Sequence, residues 1–275
     1  MNRYQLLSFP LQDIHANREM RRSDYSMDER VKQTDFPIRA LRYWWIFHMI
    51  REFSRDRRMT VVDLGAQHGQ MRRYWTGAAD IYSSQPELHW IGMDWEIAPQ
   101  LVGAGYDRVI QCDFDQKLPL PDKSADIVIF LHVVEHLPRP EFTIGEIARI
   151  LSDDGTLLAG SPTAPHLVSL FIDRQLKRRI KHGTKARGAH IHSFSPARWK
   201  ELVKNAGLTL EFLSGTHFAR LSGRFIENYS WWARLNLFWG ARFPSLGSDV
   251  CVCASKTPNP LASSRTVQRE NNDLE

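Results

Sequence analysis

Apolar residues recur with two different periods along the middle of the chain. Thr60-Val61-Val62-Asp63-Leu64 and Asp126-Ile127-Val128-Ile129-Phe130-Leu131 are almost continuously apolar, as strands are when both faces of a parallel sheet are covered. Shorter strand signals fall at 88–94, 109–112, 156–160, 209–213 and 250–254, with a turn at Asp153-Asp154-Gly155. Between them the period lengthens. Met71, Tyr74, Trp75 and Ala78 share a helix face; so do Phe142, Glu146, Ile147, Ile150 and Leu151. Ser195 caps a third helix with Pro196 in its first turn, a stripe of Trp199, Leu202, Val203 and Ala206, and Gly207 at its end. Another helix runs from about 37 to 53. Strand and helix in alternation specify an α/β fold, a mostly parallel sheet with helices on both faces. Ligands of such sheets bind at the carboxyl ends of the strands.

The flanks differ. Residues 1–35 are polar and charge-balanced and read as an N-terminal cap or arm. Residues 257–275 lack apolar periodicity and read as a disordered tail. The domain proper spans 36–256, with a lid insertion at 166–194.

Composition narrows the classes. The chain has 275 residues, 43% of them hydrophobic, enough for one well-packed domain with additions. No apolar run approaches the roughly 20 residues that span a bilayer, and the N-terminus has no apolar signal core. Three cysteines, Cys112, Cys251 and Cys253, lack metal-site spacing and read as buried thiols of a reducing compartment. A cytoplasmic location is expected, with peripheral membrane contact as a variant.

The net charge of +5 is local. Seven cations and no acid lie within 174–187, so the rest of the chain is slightly acidic. That argues against a surface built throughout for nucleic acid, and no stable nucleic-acid partner is expected. Leu167, Leu170, Phe171, Leu176 and Ile180 are expected to pack inward on a solvated lid helix, with Arg and Lys outward. The sharper alternative is a patch for an anionic or lipid-linked substrate. Residues 228–243 hold Tyr229, Trp231, Trp232, Phe238, Trp239 and Phe243 beside Arg234 and Arg242. Core packing with a hydrophobic acceptor pocket is the first expectation there, interfacial membrane contact the second.

Chemistry concentrates at strand ends. Asp63-Leu64-Gly65-Ala66-Gln67-His68-Gly69 closes the first strand and opens a helix. Glycines let the backbone approach a ligand, and helix N–H groups face it. Asp94 ends the second strand, where a carboxylate can accept from ribose hydroxyls. Asp113 follows the third, with Phe114 beside it. Three acids at successive strand ends outline a nucleoside pocket.

These residues resemble the class I S-adenosylmethionine-dependent methyltransferases, in the broad type 11-like small-molecule subgroup. The likeness covers roughly 58–256. It rests on Val61-Val62-Asp63-Leu64-Gly65-Ala66-Gln67-His68-Gly69, Gly92-Met93-Asp94, Cys112-Asp113-Phe114, the element from Leu118-Pro119-Leu120-Pro121 to Asp126-Ile127-Val128, His132-Val133-Val134-Glu135-His136-Leu137, and His192-Ser193-Phe194-Ser195-Pro196. The resemblance implies a Rossmann-like seven-stranded sheet whose last strand is antiparallel, and S-adenosyl-L-methionine as cofactor. By the same resemblance Asp63, Gly65, Ala66, Gln67 and Gly69 surround the methionine end. Asp94 binds ribose, Asp113 and Phe114 bind adenine, Trp95 covers the other adenine face, and Leu131 borders the pocket. Gln67 stands where the family usually has glycine.

His132, Glu135 and His136 follow the fourth strand, where such enzymes hold groups between cofactor and acceptor. Alignment supplies much of the rate of methyl transfer, and a weakly acidic acceptor also needs a base, a role open to His132. Ubiquinone-type O-methyltransferases associate a Glu-x-x-Glu-His run here with a metal. In this chain histidine stands first: the expectation is no metal, with Glu135 or His136 securing the loop, and metal binding by His132, Glu135 and His136 is the alternative. The resemblance also sets His190 and His192 near the pocket mouth, a plain surface loop being the alternative. The implied activity is methyl transfer to the O or N of a small molecule, sugar or lipid-like acceptor. An RNA or protein methyltransferase and a non-catalytic scaffold are the alternatives. The sequence does not set the oligomeric state.

Overall fold

The computed structural model describes residues 3–16, 18, 29–54, 58–79, 81–82, 86–181, 189–219 and 221–257. The tail expected from 257 and the end of the basic segment, 182–188, lie outside these residues apart from Thr257. Seven strands form one sheet: β1 (Met59–Leu64), β2 (Leu88–Asp94), β3 (Arg108–Gln111), β4 (Ala125–Leu131), β5 (Leu151–Pro162), β6 (Thr209–Gly215) and β7 (Asp249–Ser255). Their spatial order is β3-β2-β1-β4-β5-β7-β6. All pairings from β3 to β5 are parallel, and β7 runs antiparallel between β5 and β6. This is the Rossmann-like arrangement expected. The order reverses between β1 and β4, which opens a crevice at their carboxyl ends.

The longer helices are α1 (Leu41–Phe53), α2 (Gln70–Ala79), α3 (Pro140–Ile150), α4 (His166–Lys181), α5 (Pro196–Asn205) and α6 (Ser230–Arg242). Alternate residues of each strand feed two cores. Val61, Ile127, Ile129 and Leu158 pack with α1, α2 and α6 on one face. Val62, Val128, Phe130 and Leu157 pack with α3 and α5 on the other. That is why β1 and β4 tolerate no polar alternation: every side chain has a greasy partner layer. Trp44, Trp45 and Phe47 of α1 are wholly buried. The cap of α5 is as expected, with the Ser195 hydroxyl accepting from Arg198 N at 3.2 Å and Gly207 left-handed beyond the helix.

Residues near the N-terminus are hydrogen-bonded to α1 and α6. Trp44 Nε1 donates to Pro10 O at 2.7 Å, and Arg234 of α6 donates to Leu7 O at 2.5 Å. The buried Glu227 accepts from Thr34 Oγ1, Ile38 N and Gly223 N at 3.1–3.2 Å. Burial pushes its carboxyl above the ordinary range, those hydrogen bonds opposing it.

Three expectations are corrected. The turn at 153–155 is absorbed into β5 as a bulge: Leu151 faces Ala125, and pairing resumes with Thr156 opposite Ile127. On α3 the buried face is Pro140, Thr143, Ile144, Ile147, Ala148 and Ile150, so Ile147 and Ile150 lie as expected while Phe142 is exposed and Glu146 half-buried. On α4 only part of the expected stripe packs inward: Leu176 is half-buried and lines a cavity. Leu167, Leu170 and Phe171 are exposed, and Ser169 and Asp173 form the buried face. Ser169 Oγ bonds Ser193 O, and Asp173 pairs with Arg198 and His192, so polar anchors turn the helix over. The Ile180 side chain is outside the described set.

Candidate functional site

The loop after β1 is held against β2 by its own backbone. Gly65 N and Ala66 N both donate to Met93 O, at 2.8 and 3.1 Å. Gly65 has φ +81°, and a Cβ there would stand 2.2 Å from Val133 Cγ2. Gly69, at φ +76°, would likewise meet Ala104 Cβ at 2.3 Å. Both glycines are therefore required by close approach as well as by conformation. Gln67 also adopts the left-handed region, φ +49°. That conformation explains why glycine suits this position. The Gln67 side chain is exposed, so it projects from the loop into solvent.

Asp94 ties the two strand ends together. Its Oδ2 accepts from Gln67 N at 2.7 Å, and it is nearly fully buried. Asp63 lies beside it, also buried, and accepts from the Tyr106 hydroxyl at 2.5 Å. Burial pushes the Asp63 carboxyl up to about 7, the Tyr106 hydrogen bond offsets part of that, and the charge of Asp94 adds to it. Tyr106 itself is driven well above its ordinary value, first by burial and then by Asp63. Its ring lies on Gly92, where a Cβ would come within 3.1 Å. Tyr106 was not among the candidates read from the sequence. A glycine inside β2 was the available signal, because it marks a close approach.

Asp113 is exposed beyond β3 and accepts from Asp115 N. Phe114 is buried among Leu64, Leu118 and their neighbours in the second core, and Trp95 stands half exposed after β2. Leu131 is half-buried at the end of β4.

His132 follows at φ +55°, held by its N–H donating to Gly160 O at 2.8 Å. Its ring stands between two buried carboxylates, with Nδ1 3.6 Å from Glu135 Oε1 and Nε2 3.6 Å from Asp249 Oδ2. Asp249 arrives from the start of β7, opposite Pro162 in the antiparallel register. Glu135 is 2% exposed, yet neither carboxylate oxygen has a hydrogen-bond partner among the described residues. Loop securing falls instead to the Glu135 carbonyl, which accepts from Ile191 N and His192 N. That strap brings His190 against His136, with ring centroids 4.7 Å apart. Donor atoms of Glu135, His136 and His190 lie within 4.8 Å of one another, a group able to take a metal ion. Glu135 also borders a cavity of about 400 Å³ with Thr163, His190, His192, Ile172 and Leu176.

Residues 38–212 match a family described as a methyltransferase domain. A protein of Mycolicibacterium smegmatis, named as a probable S-adenosylmethionine-dependent methyltransferase, is 29% identical over 140 residues. That match covers 49% of this chain and 50% of the relative, so the chain spans about half the length of the curated relative it matches. Among solved structures, a candidate sarcosine dimethylglycine methyltransferase from Galdieria sulphuraria superposes with TM-score 0.52 at 18% identity, over 78% of this chain and 85% of that one. The CMeT domain of the citrinin polyketide synthase gives TM-score 0.52 at 16% identity, over 82% and 54%. At such identities the likeness is one of fold. The family match spans well over half of the residues, and the chain belongs to the methyltransferase-domain family.

Proposed function

We propose that this chain transfers a methyl group from S-adenosylmethionine to the oxygen or nitrogen of a small-molecule, sugar or lipid-like acceptor. The observation that carries it is the joining of two buried carboxylates, Asp63 and Asp94, to a glycine loop at the strand-order reversal, next to a separate cavity of about 400 Å³. When bound, the cofactor supplies an electrophilic methyl on a sulfonium. The chain's residues supply the rest. The Gly65–Gly69 bend gives close backbone approach, Asp63 offers a carboxylate to a cationic group, and Asp94, Asp113 and Trp95 flank the nucleoside. The acceptor lies in the cavity beside Glu135. His132 would take the proton that the acceptor's oxygen or nitrogen loses on methylation. Glu135 and Asp249 flank the resulting imidazolium. A cavity of this size suits a small acceptor or one reactive group of a larger one. The cysteines are all free thiols, in keeping with a cytoplasmic setting. No helix among the described residues is long and apolar enough to cross a membrane.

The test is methyl-labelled S-adenosylmethionine with pooled glycan, quinone-like and lipid acceptors, with RNA and protein pools alongside. Label in a small-molecule or lipid fraction, abolished in Asp94→Ala, supports the proposal. Label confined to RNA or protein overturns the acceptor class.

One observation favours a second feature of this corner, a divalent cation on Glu135, His136 and His190. The buried Glu135 carboxylate has no hydrogen bond among the described residues, only the His132 and His136 rings 3.6 and 3.9 Å from Oε1, and such a group is costly unless a cation or a proton joins it. His136 Nδ1 also has no hydrogen-bond partner among the described residues. Two imidazoles and a carboxylate suit zinc or manganese. Dialysed chain titrated with either ion binds one equivalent, and His190→Ala loses it. No binding to the intact chain contradicts this feature and leaves methyl transfer standing.

A further inference from the structure

The two insertions at the site end of the sheet expose their apolar residues. Leu167 is 79% exposed and Phe171 62%, with Leu170 and Val168 about half exposed on the same helix. On α6, Trp231, Leu235 and Phe238 repeat at helical spacing along an outer face that continues to the exposed Arg242. Phe225, just before α6, is 72% exposed. Apolar surface exposed in this way on each helix is costly in water and marks an interface.

Both insertions spring from one edge. Pro162 at the end of β5 pairs with Asp249 at the start of β7. Thr163 N donates to Ser248 O, and Ser248 N donates to His217 O beyond β6. β5 and β6 run parallel to β1 and β4, so this edge is also the one that carries the glycine loop and His132. The inner side of α4 lines the cavity through Ile172 and Leu176.

Charge identifies the occupant. Within 166–187 the sequence has seven cations and a single acid, Asp173. Within 218–248 it has four arginines and a single acid, Glu227. Both acids are buried and turned inward, Asp173 onto Arg198 and His192, Glu227 onto the arm and Gly223. Among the described residues of both segments the exposed charged side chains are cationic, Arg174, Arg178, Arg224 and Arg242, and stand beside the exposed apolar ones. RNA would use the cations and could stack on aromatics, but it has no partner for Leu167, Val168, Leu170 and Leu235. An anionic bilayer satisfies both, with acyl chains for the aliphatic residues, headgroups for the arginines and the interface for tryptophan.

We infer that this chain docks on an anionic membrane surface through α4 and α6, with the acceptor cavity opening beside the bilayer. The inference deepens the acceptor class proposed above: an acceptor whose reactive group sits at headgroup level reaches His132 from the lipid side. The exposed aromatics of α4 and α6 immerse no deeper than the headgroup boundary, so binding is peripheral and reversible.

Flotation of the full chain with phosphatidylcholine vesicles, with and without phosphatidylglycerol, tests it. The chain is expected to float only with the anionic vesicles and to be released by salt. Each of Arg174→Ala and Arg178→Ala should lower partitioning about fivefold. Leu170→Glu with Phe171→Glu should lower it by more, the circular dichroism staying unchanged. Should that double variant fail to fold, quenching of the intact chain's tryptophans by brominated lipids replaces it. Quenching supports docking, and its absence overturns it. Docking is also overturned if the chain ignores both vesicles, if the variants float as well as the parent, if single-stranded RNA is bound in preference, or if the two faces prove buried in a dimer. Vesicle binding needs no turnover, so chain that binds S-adenosylmethionine but no vesicle refutes docking alone, and the reverse refutes methyl transfer alone.

Discussion

Tyr106 donates its phenolic hydrogen to Asp63 across 2.5 Å, beneath the loop that closes β1. The pair fixes how the pocket responds to pH. Burial is the main cause of a carboxyl near 7 in the folded chain, against an ordinary 3.8. Between those two values the folded state holds more protons than the unfolded one, so stability falls as pH rises through that window and levels off above about 7. Below 3.8 both states are protonated, and the full contribution is present. Urea denaturation of the parent should show that slope, and Asp63→Asn should flatten it. Tyr106→Phe removes a hydrogen bond that favours the carboxylate, and should move the loss of stability to higher pH.

The same group governs binding of a cation. If Asp63 faces the positively charged end of the cofactor, ligand binding favours its ionised form and releases a proton near neutrality. Affinity for S-adenosylmethionine is then expected to rise between pH 6 and 8, roughly tenfold per unit at most. Asp63→Asn should bind weakly at every pH. A flat profile in the parent would separate Asp63 from that contact.

Gly65 and Gln67 share a left-handed backbone and should respond oppositely to exchange. Gly65→Ala sets a methyl against Val133 and strains φ, and is expected to cost about 2–4 kcal/mol in denaturant melts. Val133→Ala should restore part of that loss. Gln67→Gly removes only backbone strain and should change stability by about 1 kcal/mol or less, while its N–H still reaches Asp94.

His132→Ala should lower turnover by about 10²–10⁴-fold. It should leave cofactor affinity within about twofold, since the ring faces Glu135 and Asp249 instead of the glycine loop. Asp249→Asn should lower turnover by less. The imidazolium then keeps one of its two carboxylates. Equal losses in cofactor affinity and turnover for His132→Ala would assign that residue to the pocket wall.

Much of the architecture was legible because burial leaves a periodic trace. β1 and β4 read as central strands since Val61 and Val62, like Ile127 and Val128, point into opposite cores. The α5 cap read correctly because Ser195, Pro196 and Gly207 act locally. What the sequence hid depends on distant partners. Asp173 turns α4 over through Arg198, and no local pattern marks a buried Asp as an anchor. His190 meets His136 only because the Glu135 carbonyl holds the strap, and Asp249 meets His132 only through the antiparallel register of β7. The β5 bulge keeps a turn-forming Asp-Asp-Gly inside a strand.

Calorimetry on the folded full chain tests the proposed S-adenosylmethionine pocket at the ends of β1 and β2. Stoichiometric binding of both S-adenosylmethionine and S-adenosylhomocysteine, with at least a tenfold loss in Asp94→Ala, a change of about 1.4 kcal/mol or more, is the expected result. Heat of dilution alone, for both compounds up to millimolar concentration, would contradict it.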